Sequence, residues 1–315
     1  SRKNLKILTN AQTKKVNIVD GRATSIDIDI KNKLATISAK KEIIICAGAI
    51  GSPQLLMLSG IGPGEDLKNL GIEVVSDLVG VGKNLQDHLQ ARPVFKTDLS
   101  TINTETSNYV KKALIGLQYI LTQRGPMTMA ASLGTGFLKT EDHLETPDIQ
   151  FHIQPFSADM PSKGTHTFSA FTASVLQLRP ESTGYLKLKS PNYLDHPAIH
   201  PNYLATVTDR KTIIKGVQIA RKIAQYSPLK AHIIEEYAPG SEVSLEDEEG
   251  TLDWVRKTAV TIYHPTGTCK MGTDEMSVVS PTLKVRGVEG LRVADASIMP
   301  KITSGNTNAP AIMIG

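Results

Sequence analysis

The sequence predicts an α/β chain interrupted by an α+β insertion, and three observations carry that reading. The apolar run Glu42–Gly48 does not alternate, as expected for a strand covered on both faces of a parallel sheet. It runs into Ala47-Gly48-Ala49-Ile50-Gly51, a small-residue strand-to-helix turn that either lets the backbone approach a phosphate at the helix N-terminus or packs the helix tightly on the sheet. From about Arg92 to Ile262 the texture changes to alternating strands and amphipathic helices. The chain then returns to a Gly-, Pro- and Thr-rich loop and a short strand, Leu291–Ala294. The boundaries read as 1–91, 92–262 and 263–315.

In chain order, Leu5–Leu8 is a short strand candidate. Val16–Val19 and Thr24–Ile30 flank Asp20-Gly21 and form a hairpin on a type I′ turn, and Lys31-Asn32 turns again into Leu34–Ala39. After the apolar run a helix opens with Ser52 as N-cap and Pro53 at its first position, and stops at Gly60. Asp66–Leu70 is one more helical turn, and Val79–His88 a glycine-interrupted loop. Ser107–Arg124 is an amphipathic helix with Tyr109, Ala113, Leu117 and Leu121 on its apolar face. Ile149, Phe151 and Ile153 alternate, as do parts of 168–178 and 185–188, which predicts antiparallel strands with one wet face. Asp209–Tyr226 is a helix, and Ser244 with Asp247 reads as a capping box for another that runs through Trp254.

Composition narrows the class. With 40% hydrophobic and 21% charged residues the chain carries a packed core. A net charge of +4, well mixed along the sequence, is not a nucleic-acid footprint. The two cysteines, Cys46 and Cys269, lie far apart and fit a reducing, cytoplasmic compartment, with peripheral attachment at the inner membrane as a variant. No apolar run spans a bilayer. The chain opens without Met and stops inside an apolar helical pattern, so both ends read as cut from a longer protein.

The chemistry-bearing signals are sparse. Eight histidines occur; His196 and His200 have i, i+4 spacing, but Pro197 and Pro201 argue against a helix presenting both to a metal, and no metal site is assigned. Gly-x-Ser-x-Gly, Cys-x-x-Cys, Gly-x-x-x-x-Gly-Lys-Ser/Thr and Gly-x-Gly-x-x-Gly are all absent. On residues alone, His264 in Tyr263–Gly272 is either a functional or a satisfied buried histidine.

Longer motifs go further. Gly48–Gly62 resembles the second signature of the glucose–methanol–choline oxidoreductases, and Asn84-Leu85-Gln86-Asp87-His88 the loop that follows it there. His264–Gly272, Asp295-Ala296-Ser297-Ile298-Met299-Pro300 and Gly305–Pro310 resemble that family's C-terminal active-site region. The resemblance implies a Rossmann-like FAD-binding portion (1–91 and 263–315) around a substrate-binding domain with an antiparallel sheet (92–262). It also implies oxidation of a small-molecule alcohol by hydride transfer to FAD, with the electron acceptor left open. His264 matches the family's base and Asn306 its partner. A neutral imidazole accepts the hydroxyl proton, and the Asn306 amide would donate to the developing alkoxide. Ala47 and Gly48 match positions near the adenosine half. Asp295 and Ala296 match positions beside the ribityl–pyrophosphate region, and Thr307 and Asn308 positions near the flavin ring. Asp295 is otherwise a turn or cap residue, and Asn84, Asp87 and His88 are expected to fix loops. Two departures stand out. The family's N-terminal dinucleotide fingerprint is not in the chain, and where choline dehydrogenases carry a glutamate this sequence has Leu133, which favours a neutral primary alcohol over choline. An oxidase using O₂, a hydroxynitrile lyase and an inactive fragment are the alternatives on the same fold.

Overall fold

The computed structural model describes residues 2–130, 132–159 and 164–315. The chain divides into two compact units: 1–87, 182–203 and 263–315 form one, 88–181 and 204–262 the other. The segment 182–203, placed within the insertion on sequence grounds, clusters with the first unit.

The first unit opens with an antiparallel meander of β1 (Ala11–Val19), β2 (Arg22–Ile30) and β3 (Lys33–Ser38). Both of its turns have two residues in the left-handed region, Asp20 and Gly21 at φ 50° and 76°, Lys31 and Asn32 at 53° and 64°. That is the type I′ geometry whose twist matches the flanking strands. Leu5–Leu8 is not a strand; pairing starts at Ala11 opposite Ile30.

Next comes β4 (Ile43–Ile45), which pairs in parallel with Leu291–Val293, Ile43 opposite Leu291. Ile45, Leu291 and Val293 are buried, but Ile44 on the other face is 52% exposed, so one face is covered where two were expected. The helix α1 (Gly48–Leu58) begins four residues before the expected cap, with Ala47 at the N-cap and Pro53 inside it. An interior proline leaves the carbonyl four residues back without its helical donor. Here that carbonyl, Ala49 O, accepts from the Thr268 hydroxyl at 2.6 Å, and Thr268 is buried. A side chain far along the sequence thus makes Pro53 tolerable in the helix. Leu56 and Met57 carry α1 into a core with Ile61, Leu67, Val81, Val279 and Leu291. Leu186 joins the same core from the strand Tyr185–Lys187, which pairs with Ala198–His200. The ring of His200 stacks on Tyr185 at 4.6 Å.

The second unit is built on a seven-stranded antiparallel sheet. Its main path runs 233–238, 94–97, 170–177, 149–154 and 134–138. The helix Val207–Ile223, capped by Thr206 accepting from the Asp209 N–H, lays Ile213, Val217 and Ala220 against Ile149, Phe151 and Val175. Gly216 permits the approach, because a Cβ there would stand 2.7 Å from Val175 Cγ2. The later helix, Glu248–Thr258, is capped by Asp247, whose carboxylate accepts from the Gly250 N–H, and not by Ser244.

Two expectations for this unit need correction. The strand Ile149–Gln154 does not have a wet face along its length, since Gln150 and His152 are buried along with Ile149 and Phe151. The amphipathic helix is present as Tyr109–Thr122, capped by Asn108, yet none of its residues is buried. Tyr109, Leu117 and Leu121 of the expected core face are exposed. Among the described residues, no helix is long and apolar enough to cross a membrane.

Candidate active site

The loop carrying His264 is held from three directions within the first unit. Along one side it lies on the segment after Leu291–Val293: Cys269 N donates to Ser297 O and Met271 N to Ile298 O, both at 2.8 Å. On another, Thr266 and Gln86 exchange both backbone hydrogen bonds, at 2.9 and 3.1 Å. Thr268 reaches α1, as described. The sequence builds such a loop because its Gly, Pro and Thr residues leave the backbone without helical or strand partners of its own, so neighbouring segments must satisfy it.

Gln86 is the staple. Its Nε2 donates to Pro300 O at 3.1 Å and to Asn84 Oδ1 at 3.0 Å, while its Oε1 accepts from the Ile302 N–H at 3.1 Å. Asn84, at φ 59°, donates to Gly267 O and Pro300 O. A buried glutamine with both ends engaged fixes register as well as position. Segments 84–87, 264–272 and 295–302 are thereby locked into one body.

Asp87 has the loop-fixing role expected of it, and the loop it fixes is the one that carries His264. Its Oδ1 accepts the backbone N–H of His264 at 2.9 Å, and its Oδ2 accepts the Tyr203 hydroxyl at 2.5 Å. Directly before His264, Tyr263 stands at φ 63°, a left-handed conformation that costs roughly 1–2 kcal/mol for a residue with a Cβ. The Asp87 bond sits where that strained backbone must be held. His264 itself is buried. Burial pulls its imidazole below the usual 6.5, and the Asp87 carboxylate pulls the other way by the smaller amount. The ring is therefore neutral near pH 7, with a lone pair to accept a proton. His88, by contrast, is fully buried in the second unit with Nε2 3.0 Å from Leu178 O, a core histidine.

The predicted cofactor positions divide. Asp295 is 9% exposed, and its carboxylate is turned into the chain: Oδ2 accepts from the Gly48 N–H at 2.9 Å and from the Ser52 hydroxyl at 2.5 Å, and Oδ1 from the Ser297 N–H at 2.7 Å. An acid at the N-terminus of α1 complements the helix dipole, so the turn-and-cap role is realised. Ala296 starts the short helix Ala296–Ile298 and its carbonyl accepts from the Gly267 N–H. The Ala47 N–H is given to Ser52 Oγ at 3.0 Å. With the N–H groups of Ala47 and Gly48 both engaged, what this turn offers a ligand is surface. Gly48 is at φ +76° with open space where a Cβ would stand, and Ala47 and Gly51 line a cleft of about 330 Å³ that also takes in Ile43–Cys46 and Tyr193. The lining mixes Ile43, Ile45 and Leu55 with the polar Gln12, Thr13 and Gln54.

Asn306 lies exposed in the loop before the helix Asn308–Ile314, in the same unit as His264. Thr307 is buried at that helix's N-cap without capping it through its side chain, and Asn308 is exposed. Leu133 is exposed, its N–H bonded to Ile153 O; Ala131 beside it lies outside the described residues. No group of three metal-ligating side chains occurs among the described residues.

The first unit is an α/β unit that carries His264 on a stapled loop, and the second is built on an antiparallel sheet; comparisons with known proteins give the class. Family models of the GMC oxidoreductases match residues 1–90 and 180–315, and the chain belongs to that family. It is 40% identical over 316 residues to an alcohol dehydrogenase [acceptor] of Pseudomonas putida, covering 99% of this chain and 57% of the relative. It is also 40% identical over 323 residues to the mitochondrial choline dehydrogenase of Homo sapiens, covering 100% and 53%. Among solved structures, an FAD-dependent oxidoreductase from Chaetomium thermophilum superposes with a TM-score of 0.84 at 25% identity, covering 98% of this chain and 60% of that one. The chain thus spans about half the length of the curated relatives it matches.

Proposed function

We propose that the chain provides the alcohol-handling part of an FAD-dependent enzyme that oxidises a CH–OH group, with His264 as base. The observation that carries this is the state of His264: a buried imidazole, neutral near pH 7, on a loop whose backbone is fixed by Asp87 and Gln86. The relatives named for alcohol and choline dehydrogenation, and the FAD-dependent structural neighbour, support the reaction class and the cofactor. FAD, when bound, supplies the two-electron acceptor for the carbinol C–H. The cleft beside Ala47 and Gly51 is the place offered to its adenosine half. The chain's own residues do the rest. His264 takes the hydroxyl proton, Asn306 donates its amide N–H to the developing alkoxide without adding charge, and Asp87 and Gln86 hold the base in place. Ala296, Thr307 and Asn308 are the positions offered to the cofactor, and Asp295 supports them from within the chain through its bonds to Gly48, Ser52 and Ser297. With Leu133 where choline dehydrogenases carry a carboxylate, no anion at that position favours a quaternary ammonium, and a neutral primary alcohol is the preferred substrate.

The test is anaerobic flavin reduction by primary alcohols in the full-length protein. His264→Ala is expected to slow reduction by about 10²–10⁴-fold while flavin stays bound, the usual worth of a positioned base. Reduction at the wild-type rate would overturn the assignment.

A further inference from the structure

The Asp87 carboxylate that holds the His264 backbone is itself held. Rotation about the last bond of an aspartate side chain is soft, so a single hydrogen bond leaves such a carboxylate free to swing. Here two donors arrive on different oxygens, the His264 N–H on Oδ1 at 2.9 Å and the Tyr203 hydroxyl on Oδ2 at 2.5 Å. The second is at the length of a hydroxyl donating to a charged oxygen, the stronger kind of hydrogen bond. Asp87 is buried and Tyr203 half-buried, so water competes little for either oxygen. All three residues belong to the first unit. Tyr203 thereby sets the angle at which Oδ1 meets the His264 N–H.

The backbone is strained beside both donors. Tyr263, directly before His264, is left-handed at φ 63°, and so are Asn202 and Leu204, one on each side of Tyr203, both at 58°. Asparagine tolerates that region; tyrosine and leucine are disfavoured there. The surroundings hold the chain in place: the Asn202 amide donates to Thr183 O at 3.0 Å, and Leu204 O accepts from the Arg210 guanidinium at 2.9 Å. Strain that neighbours over-determine collects at functional positions. A bond that only stitched two loops together could be made from relaxed backbone, whereas an aimed hydroxyl and an aimed N–H account for strain at both ends. This link ends on the backbone N–H of His264 and not on its ring, so it transmits position and no proton.

We propose that Tyr203 is a positioning residue for the base: through Asp87 it fixes the backbone of His264, and with it the place from which the imidazole takes the hydroxyl proton. This rests on the reading of His264 as that base. The experiment is anaerobic flavin reduction by a primary alcohol in the full-length, flavin-loaded protein, comparing Tyr203→Phe, His264→Ala, Asp87→Ala and the Tyr203→Phe/Asp87→Ala pair. Tyr203→Phe should lower the limiting rate by about 10- to 100-fold, the cost of displacing a catalytic group by up to about 1 Å. It should leave the half-saturating alcohol concentration unchanged, since the link places the base and not the substrate. In the Asp87→Ala background the same change should cost less than about twofold, because residues acting through one another do not add. Hydrogen exchange gives a reading independent of turnover: the His264 amide should exchange about tenfold faster in Tyr203→Phe, the worth of one hydrogen bond. If Asp87→Ala loses its flavin, that exchange measurement decides. A wild-type limiting rate or wild-type exchange at His264 in Tyr203→Phe overturns the proposal, and a slow His264→Ala alongside it leaves the base in place. A rise in half-saturation alone, or equal losses in both backgrounds, overturns it too, since Tyr203 would then act elsewhere. Wild-type reduction by His264→Ala removes the base, and the role of Tyr203 with it.

Discussion

Two opposing influences meet at His264. Burial lowers its proton affinity, and the carboxylate of Asp87, bonded to the His264 backbone N–H, raises it. Asp87→Asn keeps an oxygen able to accept that N–H and removes the charge. The imidazole should therefore titrate lower still, and the acid limb of the pH–rate profile should move to lower pH with little change in the plateau; histidine NMR titration reads the same shift directly. The loop-fixing role of Asp87 was legible, and its partners were not. A five-residue loop motif says that a loop is built, whereas the partners of its acid lie 177 and 116 residues away. The sequence motif singles out the loop of His264 but not its partners. Asp295 was expected first beside the cofactor, with a turn or cap role as the alternative, and its carboxylate caps α1. That it would close on Gly48, 247 residues off, was not legible.

Among the elements, α1 teaches the most. Local rules place Pro at the first helical position, which put the helix start at Ser52. The helix begins at Gly48 because Thr268 supplies the hydrogen bond that Pro53 cannot. Thr268→Val keeps the shape and deletes the hydroxyl, leaving Ala49 O buried without its donor. The expected cost is about 1–3 kcal/mol of stability, measured by denaturant unfolding, with the first unit affected. The meander was legible because Asp20-Gly21 dictates its own turn. The helix Tyr109–Thr122 was half legible: periodicity finds an apolar face but does not say whether that face meets the core or a partner. The strand Ile149–Gln154 was misjudged for the converse reason, since alternation was taken to mean water on one side while Gln150 and His152 are buried too.

For the molecule as a whole, the depressed histidine links stability to pH. The folded state holds His264 below its ordinary value, so between the two values it binds fewer protons than the unfolded chain, and stability rises with pH there. Above about 6.5 both states are neutral at this residue and it contributes nothing. As pH falls through that value the unfolded chain protonates first and the fold loses ground. Replacing His264 with Gln removes this contribution, so the variant's thermal midpoint should fall less than wild type's between about pH 7 and pH 5. Equal falls would mean that the group is not held neutral by the fold.

The pairing of β4 with Leu291–Val293 has a consequence for the order in which the chain becomes itself. During synthesis Ile43–Ile45 leaves the ribosome nearly 250 residues before its partner strand, and at roughly 5–20 residues per second it waits many seconds with one edge open. The Gly48 N–H waits equally long for Asp295, and the Ala49 carbonyl for Thr268. The meander can close at once on its two tight turns, and the sheet of the second unit contains only residues already made by position 262. The loops around His264 cannot. In a nascent chain stalled before residue 291 the meander and the sheet of the second unit could be complete while the loop of His264 still lacked the segments that hold it.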